Sequence, residues 1–464
     1  MSSHAKKFSH DANKVAFDLS HRQTIKFNIA KYNAAVVKGR ERYLNLLLAK
    51  ERAAYIKRAM LANWDTYLCQ FEENATKRGV QVLWASDTAE ATEYIRQILT
   101  ENEARLLVKS KSMTTEEIEL NLTAEAIGCE SVETDLGEFI VQVAGEKPYH
   151  IVTPAMHKSK EDIAKLFNEK FNTPINSTPE EMTNYVRGVL REKYTKADIG
   201  VTGANFLIAD IGGVAVTENE GNGLMSTSFP KVHIAIAGIE KIIPSMKDLG
   251  LFWPLLASHG TGQQITNYNT IFTGTRRENE VDGPEKMYVI LLDNGRTELF
   301  ADNDCNEVLA CIRCGACLNE CPVYKTIGGY TYDTTYSGPI GSVITPFFRG
   351  FKEFGHLSFA SSLCGACADV CPVKIPLPSL LLENRRKSVE KNIRPFVEKA
   401  AMKGFQLISS QRIGYDIVPS AIKNFAFAPF NYILWGPKRK MPTFASKSFS
   451  KQYRISKNNS SYEK

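Results

Sequence analysis

Between residues 24 and 72, apolar positions recur at three- and four-residue spacing. Tyr43, Leu46 and Leu47, then Ala53, Ile56 and Met60, stand among Lys, Arg and Glu. That period predicts helix, and few Gly or Pro residues interrupt it. Residues 1–22 ahead of it are polar and are expected to be disordered. Beyond Arg78 the rhythm changes. Strands are predicted over 80–84, 104–108, 131–134, 150–153, 199–201, 213–217, 232–237 and 287–292. Helices are predicted over 89–99 and 114–127, from Glu138 onward, and in a longer insertion over 182–194. Short apolar runs alternating with helical stretches indicate βαβ units and a parallel sheet. This makes residues 75–298 one α/β domain behind an N-terminal helical arm, 1–74.

In open sheets of this kind, ligands bind beyond the carboxyl ends of the strands. Three segments fall there. Lys109-Ser-Lys-Ser-Met113 opens a predicted helix, so Lys109 and Lys111 would suit an anion. Glu218-Asn-Glu-Gly-Asn222 follows a strand, and Gly274-Thr-Arg-Arg277 offers a further anion contact. Each segment serves equally well as capping and turn chemistry. No G-x-G-x-x-G opens a βαβ unit and no Walker A sequence is present, so nucleotide binding has no support. No Ser/His/Asp arrangement stands out either.

After residue 298 the pattern is broken by cysteine. Eight of the ten cysteines fall between Cys305 and Cys371. The first run is Cys311-Ile-Arg-Cys314-Gly-Ala-Cys317-Leu-Asn-Glu-Cys321-Pro322. The second is Cys364-Gly-Ala-Cys367-Ala-Asp-Val-Cys371-Pro372. The spacing C-x2-C-x2-C-x3-C-P is that of two-cluster bacterial ferredoxins, whose fourth cysteine reaches across to the other cluster. On that rule Cys311, Cys314, Cys317 and Cys371 hold cluster one, while Cys321, Cys364 and Cys367 hold cluster two. Thiolate is the ligand that suits iron–sulfur centres. Structural zinc uses fewer cysteines than such a run offers. Two 4Fe-4S clusters are therefore expected on a mainly α-helical ferredoxin-like module, 299–395.

The second run carries Ser361 where its first cysteine would stand. Three outcomes stay open: a site-differentiated 4Fe-4S cluster with a Ser361 or solvent oxygen, a 3Fe-4S cluster, or recruitment of Cys305. Cys305 otherwise reads as a helix-packing thiol, and Cys69 and Cys129 as ordinary buried cysteines.

Charge adds one feature. The net charge of +6 conceals 18 Lys/Arg against 5 Asp/Glu from Lys374 to Lys464, so the rest of the chain is net acidic. This basic tail, 396–464, is a solvated surface or a docking contact for an acidic partner or an anionic membrane. It shows no nucleic-acid-binding motif. The N-terminus has no secretory signal pattern. No apolar run is long enough to span a membrane, because Pro419, Lys423, Asn424 and Pro429 interrupt the nearest candidate, 417–435.

These residues together resemble the lactate utilization protein B family, from about Lys50 to Pro395. The resemblance is carried by Lys109-Ser-Lys-Ser-Met113, Glu133-Thr-Asp-Leu-Gly137, Asn219-Glu-Gly-Asn222, Asp282-Gly-Pro284, Arg313-Cys-Gly-Ala-Cys317 and Gly338-Pro-Ile-Gly341. It implies an α/β domain similar to the CoA-transferase and sugar-phosphate isomerase fold. It also implies a cluster module similar to those of succinate dehydrogenase and heterodisulfide reductase subunits. The implied role is an electron-transfer subunit of a cytoplasmic complex oxidising L-lactate to pyruvate. Such a subunit has other subunits and an electron carrier or quinone as partners, and a peripheral membrane contact suits the tail. Family members differ at the position of Ser361, some carrying cysteine. Two alternatives remain for the α/β domain: an enzyme acting on a CoA ester or sugar phosphate with structural clusters, or a docking scaffold. The sequence offers no flavin motif.

Overall fold

The computed structural model describes residues 2–410, 419–433 and 443–460. Its main sheet is six-stranded and wholly parallel. The strands are β1 (Val80–Ala85), β2 (Leu106–Lys109), β3 (Glu130–Glu133) and β4 (Ile199–Gly203), with β7 (Val232–Gly238) and β10 (Lys286–Leu292). They run in the order β1-β10-β7-β4-β2-β3. A second sheet, β8-β5-β6-β9, is built from β5 (Phe206–Ile208), β6 (Gly213–Glu218), β8 (Ile242–Ile243) and β9 (Tyr268–Phe272).

The two-residue period of a strand sorts the central strands onto two faces. Val232, Ile234 and Ile236 of β7, with Tyr288, Ile290 and Leu292 of β10, pack against the helices Thr88–Glu101 and Leu120–Ala126. The alternate residues, Ala235, Ala237, Met287, Val289 and Leu291, join a different core. That core also takes in the second sheet, the helices Leu46–Leu61 and Trp64–Thr76, and the apolar residues of the cysteine region. The cysteine-rich region thus shares a hydrophobic core with one face of the sheet. Residues Met1–Ile393 accordingly form one unit, and Arg394–Lys464 form another. The second unit contains the helices Phe396–Ser409, Ser420–Ile433 and Phe449–Ser460. Parts of the interrupted apolar stretch 417–435 lie outside the described residues.

Four expectations are corrected. The N-terminal residues are ordered: the helix Ser3–Ala16 lies on the cysteine region, with Lys7 paired to Asp333 (2.6 Å) and Phe8 edge-on to Tyr332. Its polar composition hides this, because only one narrow face is covered. Residues 150–153 are not a strand but a tight turn, closed by the Val152 and Thr153 N–H groups donating to His150 Nδ1. β6 leaves the parallel sheet and pairs antiparallel with β5 and β9. The helix predicted over 114–127 is broken in two at Glu119, whose φ is +52°.

The helix Leu19–Glu41 is fixed by a close backbone crossing. A Cβ at Gly39 would stand 2.6 Å from the carbonyl oxygen of Gly262, so no larger residue fits.

Candidate iron–sulfur site and adjoining cavity

The two cysteine runs are built alike, residue for residue. In the first, Arg313 and Gly315 take positive φ (+59° and +78°); in the second, Leu363 and Gly365 do (+56° and +90°). A left-handed conformation costs a non-glycine residue about 1 kcal/mol or more, so its recurrence at matched positions marks a shape the fold enforces. Each loop then enters a one-turn helix, Ala316–Glu320 or Ala366–Asp369. Pro322 follows at the first position of the next helix, where its missing N–H costs nothing.

Backbone amides converge on the cysteine sulfurs. The Arg313 N–H donates to Cys311 Sγ (3.4 Å), Tyr324 N–H to Cys321 Sγ (3.5 Å) and Ile375 N–H to Cys371 Sγ (3.4 Å). In the second loop the Leu363 N–H donates to Ser361 Oγ (3.1 Å), as Arg313 does to Cys311. Ser361 therefore places its hydroxyl where the first loop places a thiol. Cys305 is elsewhere: it is buried, its Sγ donates to Asn384 Oδ1 (3.7 Å), and burial pushes the thiol up to about 12. Cys129 is buried as expected, but Cys69 is exposed on its helix.

The seven thiols influence one another in two groups. Burial pushes Cys314 up to about 12, with Cys311 and Cys371 adding to it. Burial also pushes Cys317 up, reinforced by Cys311, Cys314, Cys371 and, least, Cys367. Cys371 rises through burial and then Cys311. In the other group, burial and Cys321 push Cys367 up to about 12, and burial raises Cys321, with Cys364 adding to it. Cys364 is exposed, and the Ala366 amide holds its thiol below the usual value. Crowded, buried thiols that resist ionisation alone become good ligands once a cationic centre balances them. Sulfur donors ringed by backbone N–H groups fit an iron–sulfur centre in both loops.

The first loop is clamped to the α/β domain by a buried ion network. Arg296, fully buried, pairs with Glu117 (2.9 Å) and Glu240 (2.5 Å), and Glu240 also pairs with Arg313 (3.1 Å). Tyr336 donates to Glu117 (2.6 Å), and its ring lies 4.6 Å beneath the Arg313 guanidinium. Burial opposes the charge on Glu240, yet Arg296, Arg313 and Lys241 together hold it well below the usual carboxylate range. Lys57 donates to the carbonyls of Glu240 and Ile242, and burial pushes it down to about 7. Burial and Arg313 push Lys241 down to about 8.

A cavity of about 350 Å³ lies against this clamp. Its walls come from the carboxyl ends of β2, β4 and β6, the 150–153 turn, and Arg313 and Cys314 of the first loop. Of the three predicted anion segments, two reach it. Lys111 lines it, paired to Asp135 (3.0 Å). Glu218, Asn219, Glu220 and Asn222 line it too, but Glu218 caps the helix Asn222–Ser228 through the Gly223 and Leu224 amides. Burial pushes Glu218 upward against those amides. Lys109 does not line the cavity. Its ammonium sits among Glu133 (2.7 Å), Glu116 (2.9 Å) and Glu138 (3.7 Å), which outweigh burial and hold it protonated. Arg276 and Arg277 stand apart from the cavity, and Arg276 is paired with Glu285.

Arg313, Glu240, Lys241 and Arg296 were not anticipated. Two signals mark the first three as unusual, though not as partners. Arg313 is the only cation within the first cysteine run, and Glu240-Lys241 interrupts an apolar stretch from Val232 to Ile243.

Comparison with known proteins agrees with this architecture. Residues 68–292 match the LUD domain and residues 307–375 the 4Fe-4S dicluster domain. Lactate utilization protein B of Geobacillus thermodenitrificans is 46% identical over 384 residues, covering 82% of this chain and 79% of that one. The protein of the same name from Bacillus subtilis is 45% identical over 376 residues, covering 80% and 78%. The chain belongs to the lactate utilization protein B family. A DUF162 family protein of known structure from Deinococcus radiodurans aligns with 49% of this chain and 98% of its own, at 16% identity and a TM-score of 0.29. The expected fold class holds at the level of a parallel α/β domain joined to a ferredoxin-like dicluster module. No helix among the described residues is long and apolar enough to cross a membrane.

Proposed function

We propose that this chain is the iron–sulfur electron-transfer subunit of an assembly oxidising L-lactate to pyruvate. The observation that carries this reading is the pair of matched cysteine loops, in a family whose relatives are named for lactate utilization. Cys311, Cys314, Cys317 and Cys371 would hold cluster one; Cys321, Cys364 and Cys367 would hold cluster two, with Ser361 Oγ offered as its fourth ligand. Bound clusters would supply single-electron steps. The chain's own residues fix their positions, donate N–H groups to the sulfurs and shield cluster one behind the shared core. Other subunits and an electron carrier or quinone take up the chemistry this chain does not hold. Anaerobically reconstituted protein should contain about eight irons and be reducible by dithionite. A colourless protein holding zinc would overturn the reading.

Ser361 makes the second centre the weaker one, because an alkoxide or water binds iron less firmly than thiolate does. Mild oxidation of the wild type should release one iron and give the EPR signal of an oxidised three-iron centre. The Ser361→Cys variant should resist both changes. Equal iron loss in the two proteins would remove Ser361 from the ligand position.

A second observation favours a membrane-surface role for the tail. Phe396, Met402, Phe405 and Leu407 are exposed on the first helix of the C-terminal unit, in a segment rich in Lys and Arg. Apolar side chains with basic neighbours bind anionic lipid surfaces. The full chain should co-sediment with vesicles containing phosphatidylserine but not with purely zwitterionic vesicles. Equal sedimentation, or none, would argue against it.

A further inference from the structure

The cavity beside cluster one has a charge pattern that the electron-transfer role leaves unused. Its acids are engaged: Asp135 holds Lys111, Glu218 caps a helix and Glu220 accepts from the Leu136 N–H (3.0 Å). Its cations at the cysteine end are not balanced in the same way. The Arg313 side chain is only 10% exposed, and just one of its nitrogens, Nη2, reaches a carboxylate. Nε and Nη1 are buried and meet no protein acceptor. Lys241, 8% exposed, lines the same wall. Arg313, Arg296 and Lys241 share only Glu240 and Glu117, which leaves an excess positive charge under the cavity floor.

Those two nitrogens are enclosed rather than open to the cavity, so what the wall offers a ligand is the positive charge of Arg313 and Lys241, for which a carboxylate is a matching partner. At about 350 Å³ the space is at the small end of ligand cavities, which favours a small acid over a large cofactor. The rule that ligands collect beyond the carboxyl ends of parallel strands places a site here independently. We infer that this cavity binds a small 2-hydroxy or 2-oxo monocarboxylate, its carboxylate on Arg313 and Lys241, in contact with the loop that carries Cys314. The choice of acid rests on the proposed function; the anion site rests on the geometry.

Calorimetric titration of the full-length, cluster-loaded protein tests this, with L-lactate, pyruvate and the neutral analogue lactamide as probes. Saturable binding of at least one acid is expected, with lactamide at least tenfold weaker. Lys241→Met should weaken acid binding tenfold or more while leaving iron content and the visible spectrum unchanged. Arg313→Lys, which keeps the charge but loses the fork, should weaken it as well. No acid binding to brown, reducible protein would overturn this inference and leave the electron-transfer reading standing. So would equal affinity for acid and amide, or an unaltered Lys241→Met protein; the excess charge would then serve cluster one alone. Protein that holds no iron would instead count against the electron-transfer reading, and its own titration would still report on the anion site.

Discussion

Cys314→Ala and Cys371→Ala are expected to remove the same cluster, although 57 positions separate them. Each should lower iron from about eight to about four per chain. The double variant should lose no more than either single one. Cys364→Ala should remove the other cluster, so that combining it with Cys314→Ala strips nearly all the iron. The ground for this pattern is that Cys371 is close enough to Cys311 and Cys314 for their charges to act on one another, while Cys364 acts on Cys321 and Cys367. Iron and sulfide analysis, with circular dichroism to verify folding, reads the result. If Cys371→Ala and Cys364→Ala act on one cluster and Cys314→Ala on the other, each run closes on itself and the cross-ligation is wrong.

Arg296→Met is expected to have the largest effect on stability of any single substitution in the ion network. Arg296 is fully buried and serves two carboxylates, Glu117 and Glu240, which are themselves 7% and 1% exposed. Removing one member of such a network leaves charge buried without a partner, which costs about 3–5 kcal/mol. Exchanging charged partners together costs less, so adding Glu117→Gln should restore part of the loss. Urea unfolding followed in the unit Met1–Ile393 of the full chain measures both. A loss below about 1 kcal/mol for the single variant would mean that solvent reaches the network and the clamp is weak.

The parallel sheet was legible because its central strands are apolar on both faces and alternate with helices. β7 and β10 announce themselves in this way. The short strands β5, β8 and β9 do not, since two to five residues carry little periodicity, and their pairing depends on chain segments far apart in sequence. The residues 150–153 look like a strand because Ile151 and Val152 are apolar, but His150 folds them into a turn by accepting two backbone N–H groups. The likeness of the two cysteine loops could be read from their spacing alone, because C-x2-C-x3-C-P repeats at matched positions and sets the same backbone turns. Lys109 could not: its anion-binding look came from the helix start beside it, while its true partners, Glu133 and Glu138, arrive from a neighbouring strand and the helix after it. The clamp through Glu240, Arg296 and Arg313 was likewise hidden, since it joins residues 56 and 73 positions apart.

The most direct measurement is EPR of the proposed complex, purified anaerobically and recorded before and after addition of L-lactate. L-lactate is expected to produce the signal of reduced 4Fe-4S clusters, bleach the visible absorption and yield pyruvate, and Cys314→Ala is expected to abolish part of the signal. Clusters that dithionite reduces but L-lactate leaves oxidised, in a complex still forming pyruvate, would contradict the electron-transfer reading.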